Sequence, residues 1–488
     1  MTDRLNDAAL TRLPDGVAHP QYDRRTVTPG IVHLGVGAFH RGHQAVFIDD
    51  CLNRGETGWG IIAASLRSAT TRDALAPQDT LYTYCERDGQ GETLRVVGSI
   101  LDVLVAPEDP GALVAALADP RVKIVTLTVT EKGYLADLST GRLLTDHPDI
   151  VHDLAHPQAP RSIYGYLTEA IRQRHEAGAP PLTLLSCDNL PSNGRILHGA
   201  LADFAALRDP ALADHIRDAI RCPCVMVDRI VPATTDADRD GVAAGLGVTD
   251  AWPVVAEPYF RWVIEDDFAG PRPALEQSGA EFVADVEPFE HMKLRMLNGA
   301  HTAIAAIGQS AGLATVDAVY AVPEVRDFID LYWRQVGPTL RAEVDGAAYV
   351  VGLRQRFANP SLKHKAEQIA SDASQKVPQR ILAPLRELRA AGQPHGAPML
   401  ALALWLRSCA ATNEKGQGIA IHDPAFHDWD APDQDALPPE EVVRRFLGFA
   451  RVFGTTPDQT FAADLTAAYT DIRTHGVLAC LRRMTKEG

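Results

Sequence analysis

A chain of 488 residues, 46% hydrophobic and 23% charged, is long enough for two or three globular domains with cores of their own. Its formal net charge of −16 argues against wholesale binding of nucleic acid or of an anionic membrane, since both repel an acidic surface. The opening MTDRLNDAALTRLPDG lacks the basic start and apolar core of a secretory signal, no apolar run reaches membrane-spanning length, and the seven cysteines are scattered, so a reduced, cytoplasmic protein is expected.

The stretch GIVHLGVGAFHRGHQAVFIDD, Gly30 to Asp50, organises the first half. Ile31 to Val36 reads as a short buried strand, and Gly35 and Gly37 open a tight turn into a helix starting near His40. Such a turn can cradle a pyrophosphate, because glycine lets the backbone approach an anion and the first amides of a helix are unpaired. Gly35, Val36, Gly37, Ala38, Phe39 and Arg41 are its candidate cofactor contacts. The third glycine of the dinucleotide fingerprint is replaced by His40, which leaves an ordinary strand-turn-helix connection as the alternative.

Trp59 to Ala69 reads as a second strand, after which an acid would favour NAD over NADP. The residues there are Leu66, Arg67, Ser68, Ala69 and Thr70. Arg67 and Ser68 become candidate cofactor contacts, NAD is the expected cofactor and NADP stays open. Leu81 to Arg87 and Thr93 to Val105 alternate as strands around the turn DGQG, and Asp109 and Pro110 begin a helix running through Leu117. Val122 to Tyr134 is a buried strand running into Thr130, Glu131 and Lys132; at the carboxyl end of a parallel strand these look into a ligand crevice, the alternative being a solvated strand exit. Ile163 to Ala177 reads as a helix. Pro180 to Gly194 is an apolar strand ending in polar groups, with Asp188 and Asn189 where chemistry is expected. The strand Cys224 to Pro232 carries Asp228 and Arg229, charges that must pair or face a cleft. Thr234 to Gly241 reads as a polar loop, Trp252 to Phe268 as one or two strands, and the texture turns helical after Pro288. The expected division is 1–285 for a nucleotide-binding domain and 286–488 for a mainly helical one.

His291 to Gly312 reads as an amphipathic helix opening the second domain. At about 100° per residue, Lys293, Asn298 and His301 share one broad sector of it. A lysine, an amide and an imidazole on a largely apolar helix need partners or a purpose; a satisfied buried network or a snorkelling lysine is the plainer account.

The motifs GVGAFHRGHQ, TVTEKGY, SCDNLPSNG, MVDRIVP and KLRMLNGAH, in this order and spacing, resemble the polyol-specific long-chain dehydrogenases, the mannitol dehydrogenase family. The resemblance runs from about Leu5 to the C-terminus. It implies an α/β fold, with an N-terminal Rossmann-type doubly wound sheet domain carrying additional strands and a mainly helical C-terminal domain. It further implies an active site between the two, no metal, and a small-molecule sugar alcohol, aldonate or ketouronate as partner of a monomer or weak oligomer. Carried over, Lys293 matches the family's catalytic lysine, Asn298 and His301 its neighbours, and Asn189 the asparagine of the CDN motif. Lysine can act as the base if a dry site lowers its pKa from about 10.4, the asparagines can stabilise a developing alkoxide, and His301 can orient a hydroxyl.

Within the family, MVDRIVPATT and QIASDASQKVPQR resemble the fructuronate reductases more than the mannitol dehydrogenases, which carry an arginine where this chain has Gln368. Lys376, His364, Lys363, Lys365 and Arg380 form a basic neighbourhood, and a carboxylate substrate needs such a cation. Asp228, Arg229, Lys376 and His364 are the candidate substrate contacts. The expected pair is D-mannonate and D-fructuronate, followed by mannitol and fructose, then arabinitol. A zinc enzyme using His40 and His43, and a non-catalytic NAD-binding sensor, are the rivals.

Overall fold

Val32 and Leu34 point to one side of the first strand and Ile31 to the other, and both sides are buried, as the β-branched run without polar alternation requires. In the computed structural model, five such strands lie parallel: β1 (Pro29–Leu34), β2 (Gly60–Ser65), β3 (Ile100–Val105), β4 (Ile124–Leu127) and β5 (Thr183–Ser186), in the order β3-β2-β1-β4-β5. The order reverses between β1 and β4, whose carboxyl ends therefore splay around a crevice, the topological switch point of a Rossmann-type sheet. The structure describes residues 3–137, 140–361, 363–423, 426 and 434–487.

The chain divides into two compact units between Glu287 and Pro288, against 285/286 from the sequence. In the N-terminal unit, helices Pro110–Ala118, Ile163–Glu176 and Asn193–Arg208 cover one face of the sheet. The additional strands form three small sheets, Val254–Ala256 with Tyr82–Arg87 and Glu92–Val97, Val225–Asp228 with Arg261–Glu265 and Glu281–Val283, and the pair Ala136–Asp137 with Arg142–Leu143. Two elements differ from the sequence reading. Thr93 to Val105 is not one strand: after Gly98 and Ser99 the chain leaves the hairpin, and Ile100–Val105 becomes a strand of the central sheet. Thr234 to Gly241 is not a loop, because Thr235 and Asp238 close a reciprocal capping box and start the helix Asp236–Leu246.

The C-terminal unit is built on two helices buried on nearly every side, Gly299–Ala311 and Gly396–Ser408, which pack on each other, with Pro323–Val336 and Gln459–His475 around them. Among the described residues no helix is long and apolar enough to cross a membrane, and none of the seven cysteines forms a disulfide.

Candidate active site

The crevice at the switch point is a cavity of about 830 Å³, lined at its floor by Gly35, Val36 and Gly37 and at its rims by Arg67, Thr130 and Lys132. Gly35 stands at φ +95°, and a Cβ there would lie 2.2 Å from the carbonyl oxygen of Thr128, so only glycine fits where β1 passes β4. Gly37 faces open space, its ideal Cβ 3.8 Å from the nearest atom, and the turn Ala38–Gly42 that follows has no side-chain cap to occupy its first amides. A glycine cradle, uncapped amides and basic rim residues suit the diphosphate of a dinucleotide.

Two buried side chains hold that cradle open. His33, fully buried in β1, meets Thr126 Oγ1 through Nδ1 (2.8 Å) and Thr128 Oγ1 through Nε2 (3.0 Å), while the Thr128 hydroxyl donates to the Gly35 carbonyl (2.8 Å). The Thr128 proton is thus used on Gly35, so Nε2 of His33 is the donor and Nδ1 accepts from Thr126. Burial drives the His33 pKa down to about 3, which keeps the ring neutral in this arrangement. The second is Asp188 of the SCDN motif. Its carboxylate accepts from the amides of Val129 (2.8 Å) and Thr130 (2.9 Å) and from the Tyr134 hydroxyl (2.8 Å). Burial raises the Asp188 pKa and these donors oppose the rise. Thr130 sits at φ +64°, ψ +163°, a region costing a β-branched residue about 1–3 kcal/mol. Charge-assisted hydrogen bonds of about 1.5–3 kcal/mol each are enough to hold it there.

Of the residues the sequence nominates for the cofactor, Gly35, Val36, Gly37, Arg67, Thr130 and Lys132 line the cavity; Ala38, Phe39, Arg41, Ser68 and Glu131 lie off its wall. Arg41 is buried, bonded to the Trp252 carbonyl and stacked over Tyr82, and burial pushes its pKa down to about 10. The opposite wall was not legible: Asp149, His152, Arg161, Ser162 and Tyr166 come from a segment without a motif. Its only signal is Ser162, which caps the helix Ile163–Glu176 at Gly165 (3.1 Å) and turns that helix's N-terminus toward the cavity. Asn189 is exposed just past the carboxyl end of β5. Arg229, expected as a substrate contact, is buried. Its Nε and both terminal nitrogens donate to the carbonyls of Glu257 and Gly42 and to the Tyr84 hydroxyl, its plane lies 4.7 Å from the Tyr84 ring, and it ties two of the small sheets to the glycine turn. Asp228, beside it, ends the same strand and is buried. His40 stacks on His33 with ring centres 3.4 Å apart and His43 Nε2 meets the Arg261 carbonyl, so the two histidines read as zinc ligands face the interior.

In the C-terminal unit Lys293, Asn298 and His301 are buried together, but the helix that carries them is not regular. Glu287–Met292 is α-helical, Lys293–Asn298 is a π-helical turn in which the Gly299 amide donates to the Leu294 carbonyl, and Gly299–Ala311 is α-helical again. In a regular helix Asn298 would lie about 140° around from Lys293; at the roughly 82° per residue of a π turn it lies about 50° around, and His301 falls within about 10° of the lysine. The sector narrows from about 140° to about 60°. The Nδ2 of Asn298 is buried without a hydrogen-bond partner among the described residues, an amide donor held ready for an oxygen. His301 packs 4.6 Å from Phe357 and edge-on to His364, 5.8 Å away. His364 Nδ1 is likewise buried without a partner, and burial lowers the His364 pKa.

The basic neighbourhood resolves into unlike parts. Lys363 pairs with Asp317 at 2.9 Å and is exposed, and Lys376 donates to the carbonyls of Ser371 and Ile369. Arg380 reaches the same helix as the lysine: its guanidinium donates to Thr302 Oγ1 (3.3 Å), and that hydroxyl donates to the Asn298 carbonyl (2.9 Å).

Comparison with known proteins agrees with both units. Residues 29–277 match the family described as the mannitol dehydrogenase Rossmann domain, and residues 285–473 match the mannitol dehydrogenase C-terminal domain. The chain is 40% identical over 478 residues to D-mannonate oxidoreductase of Escherichia coli strain K12, covering 95% of this chain and 97% of that protein. It is 39% identical over 474 residues to mannitol 2-dehydrogenase of Cereibacter sphaeroides, covering 96% and 98%. Mannitol 2-dehydrogenase of Pseudomonas fluorescens, solved as a ternary complex with NAD and D-mannitol, superposes with a TM-score of 0.87 at 38% identity, covering 99% of this chain and 100% of that one.

Proposed function

The chain belongs to the mannitol dehydrogenase family, and from that premise we propose that it is a lysine-dependent NAD oxidoreductase of D-mannonate and D-fructuronate. NAD, which Gly35, Val36, Gly37, Arg67, Thr130 and Lys132 would hold, would supply a hydride acceptor for the carbinol carbon. Lys293 takes the hydroxyl proton in the oxidative direction and returns it in the reductive one. Asn298 and Asn189 donate to the oxygen as its charge develops, and His301 orients a neighbouring hydroxyl. The observation that carries this reading is the buried Lys293, Asn298 and His301 on one narrow helical edge, with the Asn298 Nδ2 lacking a hydrogen-bond partner among the described residues.

The carboxylate preference rests on Arg380. A guanidinium tethered through Thr302 beside Asn298 offers a planar, bidentate partner for a carboxylate, which mannitol lacks. Mannitol 2-dehydrogenation is the second reading, favoured by the relatives named for it and by the D-mannitol held in the Pseudomonas fluorescens complex. Initial rates on D-mannonate and D-mannitol, each with NAD and NADP, separate the two. Faster oxidation of mannonate with NAD is expected. Faster oxidation of mannitol reverses the order, and binding of NAD with no turnover of either substrate supports a sensor.

A further inference from the structure

A π turn leaves carbonyls that a regular helix would have bonded to its own amides, and the turn persists only where other donors take them. Here they come from adjacent residues of the helix Pro323–Val336. The Trp333 indole donates to the Met296 carbonyl (2.8 Å), and the Tyr332 hydroxyl reaches the Arg295 carbonyl (3.3 Å). Both aromatic side chains are buried, Tyr332 fully so. The Tyr332 hydroxyl has a second acceptor, the Arg380 carbonyl at 3.2 Å, and Arg380 lies in another π turn, Pro378–Leu382, closed by the Ala383 amide on the Pro378 carbonyl. One hydroxyl therefore sits between two π turns, one bearing Lys293 and Asn298, the other bearing Arg380.

The chain is cut to admit it. A Cβ at Gly299, the residue after the first π turn, would stand 2.2 Å from that hydroxyl oxygen and 2.9 Å from the Arg380 carbonyl. Trp333 acts on the same edge by a second route: its ring stacks on Phe357, with centres 5.9 Å apart, and Phe357 packs against His301. If the helix relaxed to regular geometry, it would bond its own carbonyls, strand the Trp333 indole in the interior, leave the Tyr332 hydroxyl to the Arg380 carbonyl, and swing Asn298 about 90° away from Lys293.

We infer that Tyr332 and Trp333 are positioning residues: their donors hold the π turn that gathers Lys293, Asn298 and His301 on one edge, and Tyr332 couples that edge to Arg380. The inference rests on the assignment of Lys293 as the base.

Tyr332→Phe and Trp333→Phe each remove one donor and keep an aromatic ring, so the core stays filled. The measurements are kcat and KM on D-mannonate and D-mannitol with NAD, NAD affinity by calorimetry, and the pH at which Lys293 is half-acetylated by acetic anhydride, read by mass spectrometry. For the double variant, kcat is expected to fall about 10- to 100-fold. The half-acetylation pH is expected to shift, with NAD affinity within about twofold because the cofactor cavity lies wholly in the N-terminal unit. A merely structural role would lower the melting temperature and leave the acetylation midpoint in place. A folded double variant with unchanged kcat and unchanged midpoint, beside a Lys293→Ala protein that does not turn over, overturns the positioning role alone. Normal turnover by Lys293→Ala overturns the base assignment, and the positioning role with it.

Discussion

The two halves of the chain prepare their polar groups by opposite means. In the N-terminal unit the cavity is made by regular strands ending together, and irregular backbone enters at single residues, among them a glycine at φ +95° and a threonine at φ +64°, pinned by His33, Thr128 and Asp188. In the C-terminal unit regularity itself is given up, and a wider helical turn brings side chains five and eight positions apart onto one edge. Sheet ends gather residues by topology, whereas a helix must change its period to do so.

Substitutions in the two glycines separate the halves most sharply. Gly35→Ala puts a methyl group against a backbone oxygen at positive φ, and is expected to weaken NAD binding at least about 100-fold, measured by calorimetry, while leaving the acetylation behaviour of Lys293 unchanged. Gly299→Ala does the reverse: kcat falls about 100-fold while NAD affinity stays within about twofold. If either substitution impairs both readouts equally, the division of labour fails.

A smaller effect distinguishes the supports by pH. His33 is neutral in the fold, with its pKa lowered from 6.5 to about 3, so its contribution is intact above pH 6.5 and is lost as pH falls toward 3, where the unfolded imidazole binds a proton that the folded one refuses. Urea titrations should lose about 2 kcal/mol between about pH 6.5 and pH 5 from this group, and His33→Asn should flatten that slope. Asp188→Asn is the mildest change. It replaces one acceptor oxygen by an NH2 that faces either the Thr130 amide or the Val129 amide and Tyr134 hydroxyl, and should cost about 1–2 kcal/mol of stability and about tenfold in NAD affinity. An unaltered affinity would remove Asp188 from the support of the cavity.

What the sequence discloses follows the same division. The strands were legible because β-branched runs such as Ile124 to Leu127 have no other economical fold, and the glycine turn because Gly35 and Gly37 announce it. The break at Gly98 and Ser99 was not, since alternation continues across it while the chain changes sheets. The helix Asp236–Leu246 hid behind polar residues that serve as its cap. Arg41 and Arg229, both named as candidate contacts, are buried among carbonyls and aromatic rings, a placement that the sequence does not disclose. Lys293, Asn298 and His301 were found by residue type and family motif, yet their true angular relation could not be, because 100° per residue was the wrong period for Lys293–Asn298. Nothing in the sequence marks Tyr332 and Trp333, the donors to that turn.

The most direct measurement is the pH dependence of kcat for Lys293→Ala beside the parent, with NAD binding followed in the same preparations. The account predicts a folded variant that binds NAD within about twofold of the parent, has lost most of its turnover, and lacks the parent's basic-group inflection. A variant that retains parental turnover with the same inflection would contradict it.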